Sequence, residues 1–132
     1  MIVVSYQPKL PKETMCPIEY GLELFGGKWK SRILCVLSSA GVLRYSELRA
    51  ELGNIADPVH AAMLKALLAD GLINRRQYEE MPPRVEYSLS EKGKSVLPIL
   101  RSICGWSRAQ TGDALAKTLP PCKNCEQAQQ AI

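Results

Sequence analysis

The segment "LINRRQYEEMPPRVEYSLS", residues 72–90, limits the possible folds of this chain more than any other. "LINRRQYEE" and "RVEYSLS" each alternate in part between apolar and polar residues, and "MPP" lies between them. Two such runs around a proline-containing tip predict a β-hairpin. The segments on either side carry helix signals, so the hairpin must be fitted between helices. The expected class is α+β and mainly helical.

Helix punctuation is dense. "CPIEYGLELFGG" predicts a first helix, with Cys16 at the N-cap, Pro17 at the first position and Gly26-Gly27 as the stop. "KWKSRILCVLSSAG" predicts a second, with Trp29, Ile33, Val36 and Leu37 on one face and Gly41 beyond its end. "VLRYSELRAEL" begins extended and turns into a short third helix over residues 45–52. A fourth helix runs over residues 57–70, with Asp57 as N-cap, Pro58 in the first turn, an apolar stripe of Leu64, Leu67 and Leu68, and Gly71 as a left-handed stop. After the hairpin, Ser90 caps a long helix, "EKGKSVLPILRSICGWSRAQTG", in which Pro98 is expected early or at a kink. Its apolar residues Val96, Leu97, Ile99, Leu100, Ile103, Cys104 and Trp106 spread over more than one face, so it needs a second surface to bury. Two short helices joined by a turn and followed by a hairpin describe a winged helix-turn-helix. In that arrangement the second helix enters the DNA major groove and the hairpin flanks it.

The 132 residues are expected to form one domain, 1–132, with an N-terminal arm over 1–15 and a polar C-terminal tail over 112–132. Lys and Arg number 17 against 13 Asp and Glu, and the stretch from Gly26 to Arg101 holds 12 basic and 8 acidic residues, the whole excess. A basic middle suits a polyanion, and an ordinary soluble surface accounts for it equally well. "MIVVSYQPKLPKE" lacks the basic start and apolar run of a signal peptide. No run approaches the roughly 18 apolar residues of a membrane helix. The expected location is the cytoplasm, with no membrane partner. Five cysteines at scattered spacing are unlike a secreted disulfide framework.

The blocks "CPIEYGLELFGGKWKSRIL", "RYSELRAEL" and "LLADGLINRRQYEEMPPRVEYSLSEKG" resemble the HxlR-type branch of winged-helix transcriptional regulators, related to the MarR type. The resemblance runs from Cys16 to about Trp106. It implies a homodimer that binds double-stranded DNA at an inverted-repeat operator, with termini and long helices making the dimer contact. It also implies an oxidant or electrophile as effector: some members respond to such agents at the cysteine of a Cys-Pro motif, here Cys16.

Candidate DNA contacts follow from position. Lys28 and Lys30 open the second helix, where amides also face outward. Arg44 and Ser46 open the supporting helix, and for Ser46 the alternative is a plain N-cap. Arg75 and Arg76 are consecutive on a strand, so only one of them faces DNA, and Arg75 is the candidate. Arg84 follows the wing tip as a long cation for the minor groove. Its alternative is an ion pair with Glu79, Glu80 or Glu86. Lys92 and Lys94 read as a solvated face. His60 and Lys65 complete the set from the fourth helix, and for His60, the only histidine, the alternative is a half-buried structural side chain. This helix departs from the family, whose members usually place Ser, Gln or Thr in its first turns. Here Ala56, Asp57, Ala61 and Ala62 stand at the matching positions.

Cys35 and Cys104 read as core or interface thiols. Cys16 sits beside the positive end of a helix, which favours the thiolate that oxidants and electrophiles attack, although Glu19 opposes it. Cys122-x-x-Cys125 has dithiol or metal spacing but no second pair completes a metal site, so no metal or cofactor is expected; Cys16, Cys122 and Cys125 are the redox candidates. Two other readings remain at this point. One is a winged-helix module whose atypical fourth helix binds a protein partner. The other, an enzyme built on the CxxC thiols or zinc, lacks a nucleophile triad.

Overall fold

The computed structural model describes residues 16–116. The element order is α1 (Pro17–Phe25), α2 (Lys28–Ala40), β1 (Val42–Arg44), α3 (Tyr45–Leu52), α4 (Asp57–Ala69), β2 (Ile73–Tyr78), β3 (Arg84–Leu89) and α5 (Glu91–Ala116). This is a winged helix-turn-helix of five helices and a three-stranded antiparallel sheet in the order β1-β3-β2. The expected arm over 1–15, and the tail cysteines Cys122 and Cys125, lie outside the described residues.

The core is built around α2. Its Ile33, Leu34, Val36 and Leu37 meet Leu48 and Leu52 of α3, Ile55 of the turn, Leu64 and Leu67 of α4, Leu72, Ile73, Tyr87 and Leu89 of the sheet region, and Val96 and Leu100 of α5. Burying a leucine or isoleucine contributes ~1.5–3 kcal/mol. This shared core therefore fixes α3 and α4 against the rest of the fold. α1 buries no residue; it only rests Leu24 and Phe25 against the core.

The helix boundaries follow the punctuation, with corrections. α4 starts one residue early: Ala56 is its N-cap and Asp57 its first residue. Ser46 is not the N-cap of α3. That place belongs to Arg44, whose backbone N–H donates to Glu47 Oε1 at 2.9 Å. Gly71 stops α4 at a φ of 75°, in the left-handed region that glycine adopts without strain. The extended start expected before α3 is a true strand, β1, which adds a third strand to the expected hairpin. α5 contains Pro98 and continues past Gly112 to Ala116, so the tail expected from 112 begins as helix.

One junction ties three elements together. Ser90 Oγ donates to the Gly71 carbonyl at 2.6 Å and accepts from the Gly93 N–H at 3.0 Å, so it caps α5 and holds the end of α4. The Ser90 N–H donates to Leu72 O at 3.1 Å, and Lys92 Nζ donates to Asp70 O at 2.8 Å. Gly93 lies so close to the Leu72 carbonyl that no side chain fits there. No described helix is long and apolar enough to cross a membrane.

Candidate nucleic-acid interface

The turn between α3 and α4 is held by side chains. The Tyr45 hydroxyl donates to Asp57 Oδ1 at 2.7 Å, Arg49 Nη1 lies 3.8 Å from the same oxygen, and Arg49 Nε donates to Ile55 O at 3.4 Å. Burial first, and then the bond to Asp57, pushes the Tyr45 hydroxyl above its ordinary 10.0, so it remains a donor at neutral pH. Asp57 is thus a clasp between helices, and its negative charge also suits the first turn of α4.

His60 is placed inward. It is fully buried, stacked on the Tyr45 ring with centroids 4.4 Å apart, and neither ring nitrogen has a hydrogen-bond partner. It cannot touch a groove in this arrangement, which corrects its expected DNA contact. The reason is helical spacing: His60 shares the face of Leu64 and Leu67. Burial pulls its pKa below 6.5; nearby Asp57 opposes this and Arg49 adds to it. The opposite face of α4 exposes Pro58, Val59, Ala61, Ala62 and Lys65.

On the sheet, register sorts the arginines. Arg75 pairs with Tyr87 and so shares the core-side face, beyond the core itself, where it is exposed and donates to Gln77 Oε1 at 3.4 Å. Arg76 and Arg44 both oppose Glu86, one from each side, on the other face. Arg76 lies 4.9 Å from the Tyr78 ring centroid. Arg84 is the expected cation after the wing tip, yet it is engaged: Nη2 pairs with Glu80 at 3.2 Å and the guanidinium stacks 4.0 Å over Tyr78. The tip carries an almost fully exposed Met81, a cis peptide to Pro82 and the exposed Glu79 and Glu80.

At the start of α2, Lys28 is exposed and lies over the Trp29 ring, as does Arg32. Lys30 is half-buried and donates to Glu23 O at 3.0 Å, sealing the end of α1. Ser46 is exposed on α3. Cys16 is exposed at the N-cap of α1, and its side chain makes no capping bond. Sequence reasoning missed the Tyr45–Asp57–Arg49 clasp. The alternation of the hairpin did carry the split of Arg75 and Arg76 onto opposite faces.

Comparison with known proteins points the same way. A family model described as HxlR-like helix-turn-helix matches residues 24–114. An HTH-type transcriptional regulator of Methanothermobacter thermautotrophicus is 47% identical over 96 residues, covering 73% of this chain and 72% of that protein. The crystal structure of the HTH-type transcriptional regulator YtcD matches with a TM-score of 0.67 and 44% identity, over 70% of this chain and 94% of that one. The redox regulator HypR in its oxidised form matches with a TM-score of 0.65 and 37% identity, over 74% and 99%.

Proposed function

Because the chain belongs to the HxlR-like helix-turn-helix family of transcriptional regulators, we propose that it is a homodimeric regulator of an inverted-repeat operator. In this reading α4 of each copy lies in a major groove and the β2–β3 hairpin flanks it. The carrying observation is the exposed outer face of α4, held at a set angle by the Tyr45–Asp57 clasp. Phosphate contacts come from Lys65, Lys28, Arg44 and Arg75, which are exposed, and from Arg84 when it leaves Glu80. Lys30 and Ser46 contribute at the edges. The work is binding, not catalysis, and it takes place in the cytoplasm.

Fluorescence anisotropy on duplex DNA over a salt series tests this. Log affinity should fall linearly with log salt, with a slope of about −0.9 per phosphate neutralised. A flat line, or no binding, would reject DNA as partner and favour the alternative in which α4 binds a protein.

We further propose that the regulator responds to oxidants or electrophiles through Cys16. The support is the exposed position of that thiol and the likeness to HypR, a redox regulator. Diamide would accept the two thiol hydrogens as Cys16 joins a second cysteine, Cys122 or Cys125 being the candidates. Mass spectrometry of the treated protein, with Cys16→Ser as control, should find a reducible bond to Cys16 and a changed DNA affinity. Cys16 left reduced, with unchanged binding, would remove the sensing role.

A further inference from the structure

The two polar side chains in the first turns of α4 both contact α3. His60 is fully buried against Tyr45, and the Asp57 carboxylate already accepts the Tyr45 hydroxyl proton and faces Arg49. Beside the exposed Asp57, the outward residues are Pro58, Val59, Ala61 and Ala62, with Lys65 one turn further on. Between Asp57 and Lys65, no outward side chain on this helix donates or accepts a hydrogen bond. That stretch of helix cannot read the donors and acceptors of guanine, adenine or cytosine. It can read one feature of the major groove, the C5-methyl group that thymine carries and cytosine lacks.

We propose that this chain recognises its half-site through thymine methyl groups packed against Val59, Ala61 and Ala62. The inference rests on the DNA reading above and deepens it. Asp57, the acidic group best placed to accept from cytosine N4, already accepts from Tyr45 and faces Arg49 through Oδ1, which weakens it as a reader of that base. An apolar groove on another protein suits this face less well. Protein interfaces draw their affinity from large anchors such as Trp, Tyr and Arg, and this patch offers only small side chains. Lys65 beside the patch matches a phosphate backbone.

The test uses the full chain and synthetic duplexes. Selection from a random duplex library should enrich thymine at the positions facing α4. Replacing those thymines by deoxyuridine deletes only the methyl groups and should weaken binding about fourfold per contacted methyl. Replacing a non-selected cytosine there by 5-methylcytosine should recover part of the loss. The Ala61→Ser, Ala62→Ser double variant should bring the thymine-to-uracil preference towards one. Equal binding of thymine and uracil duplexes by the unmodified protein, with an ordinary salt slope, would overturn the methyl reading and leave the DNA reading standing. Absence of salt-dependent binding to any duplex would overturn both.

Discussion

The phenolic hydroxyl of Tyr45 donates a 2.7 Å hydrogen bond to the carboxylate of Asp57, joining the first residue of α3 to the first residue of α4. Two helices joined by a four-residue turn and a shared core gain a further tie from this bond. Tyr45→Phe keeps the ring against His60 and deletes the donor. It should cost about 1 kcal/mol of stability in urea unfolding. A double-mutant cycle with Asp57→Ala should return a coupling of about 1 kcal/mol, and additive effects would show that the pair does not hold the turn.

His60 makes the fold sensitive to acid. Its pKa is lowered in the folded protein, chiefly by burial, from an ordinary value of 6.5. The unfolded chain then binds more protons, so stability is fully present above 6.5 and is lost as the pH falls through that value towards the folded pKa. Asp70 runs the other way, because burial pushes its carboxyl up. Comparison of the unmodified protein with His60→Phe isolates the histidine. From about pH 7 to about pH 5 the unmodified protein should lose stability faster, by up to about 1.4 kcal/mol per pH unit. Parallel pH profiles would contradict this.

Apolar side chains are left uncovered on two helices. Ile99, Ile103 and Trp106 of α5 and Ile18 and Leu22 of α1 are 47–71% exposed. A second copy covering this surface is expected to give a dimer in sedimentation velocity. Ile103→Glu should shift the protein to monomer while circular dichroism stays helical. A dimer unaffected by the glutamate would place the contact elsewhere.

Glu80 competes with DNA for Arg84. An ion pair at this half-exposed surface position contributes ~1 kcal/mol or less, so Glu80→Gln should barely change the melting temperature. It removes a negative charge near the wing tip and releases the guanidinium. Generic DNA binding should tighten severalfold at low salt, and the gain should vanish when Arg84→Ala is added. A gain that survives Arg84→Ala would be a bulk charge effect and would take Arg84 out of the contact set.

The helices were legible because their ends are local events. Pro17, Pro58, Gly41, Gly71 and Ser90 each act within a few residues, and each lies at or within two residues of a helix boundary in the structure. β1 was legible only as extended chain, because its partner β3 lies about 40 residues away and three residues carry no alternation to count. The exposed face of α4 was visible in the spacing of Leu64 and Leu67. The engagement of Asp57 was not, since it depends on a tyrosine twelve residues earlier whose hydroxyl donates to the carboxylate. Arg84 had two sequence readings, DNA and ion pair, and the free chain adopts the second.

The Ser90 junction gives the molecule a rigid elbow. The start of α5 is bonded to Asp70, Gly71 and Leu72, directly behind α4, and Gly93 leaves no gap there for slippage. A tilt of α5 must therefore carry the rear of α4 with it. α5 spans 26 residues, about 39 Å at 1.5 Å per residue, so a small displacement at its far end becomes a rotation at the elbow. Any ligand, covalent bond or second copy gripping the distal part of α5 holds a long crank whose short arm is the helix presented to DNA.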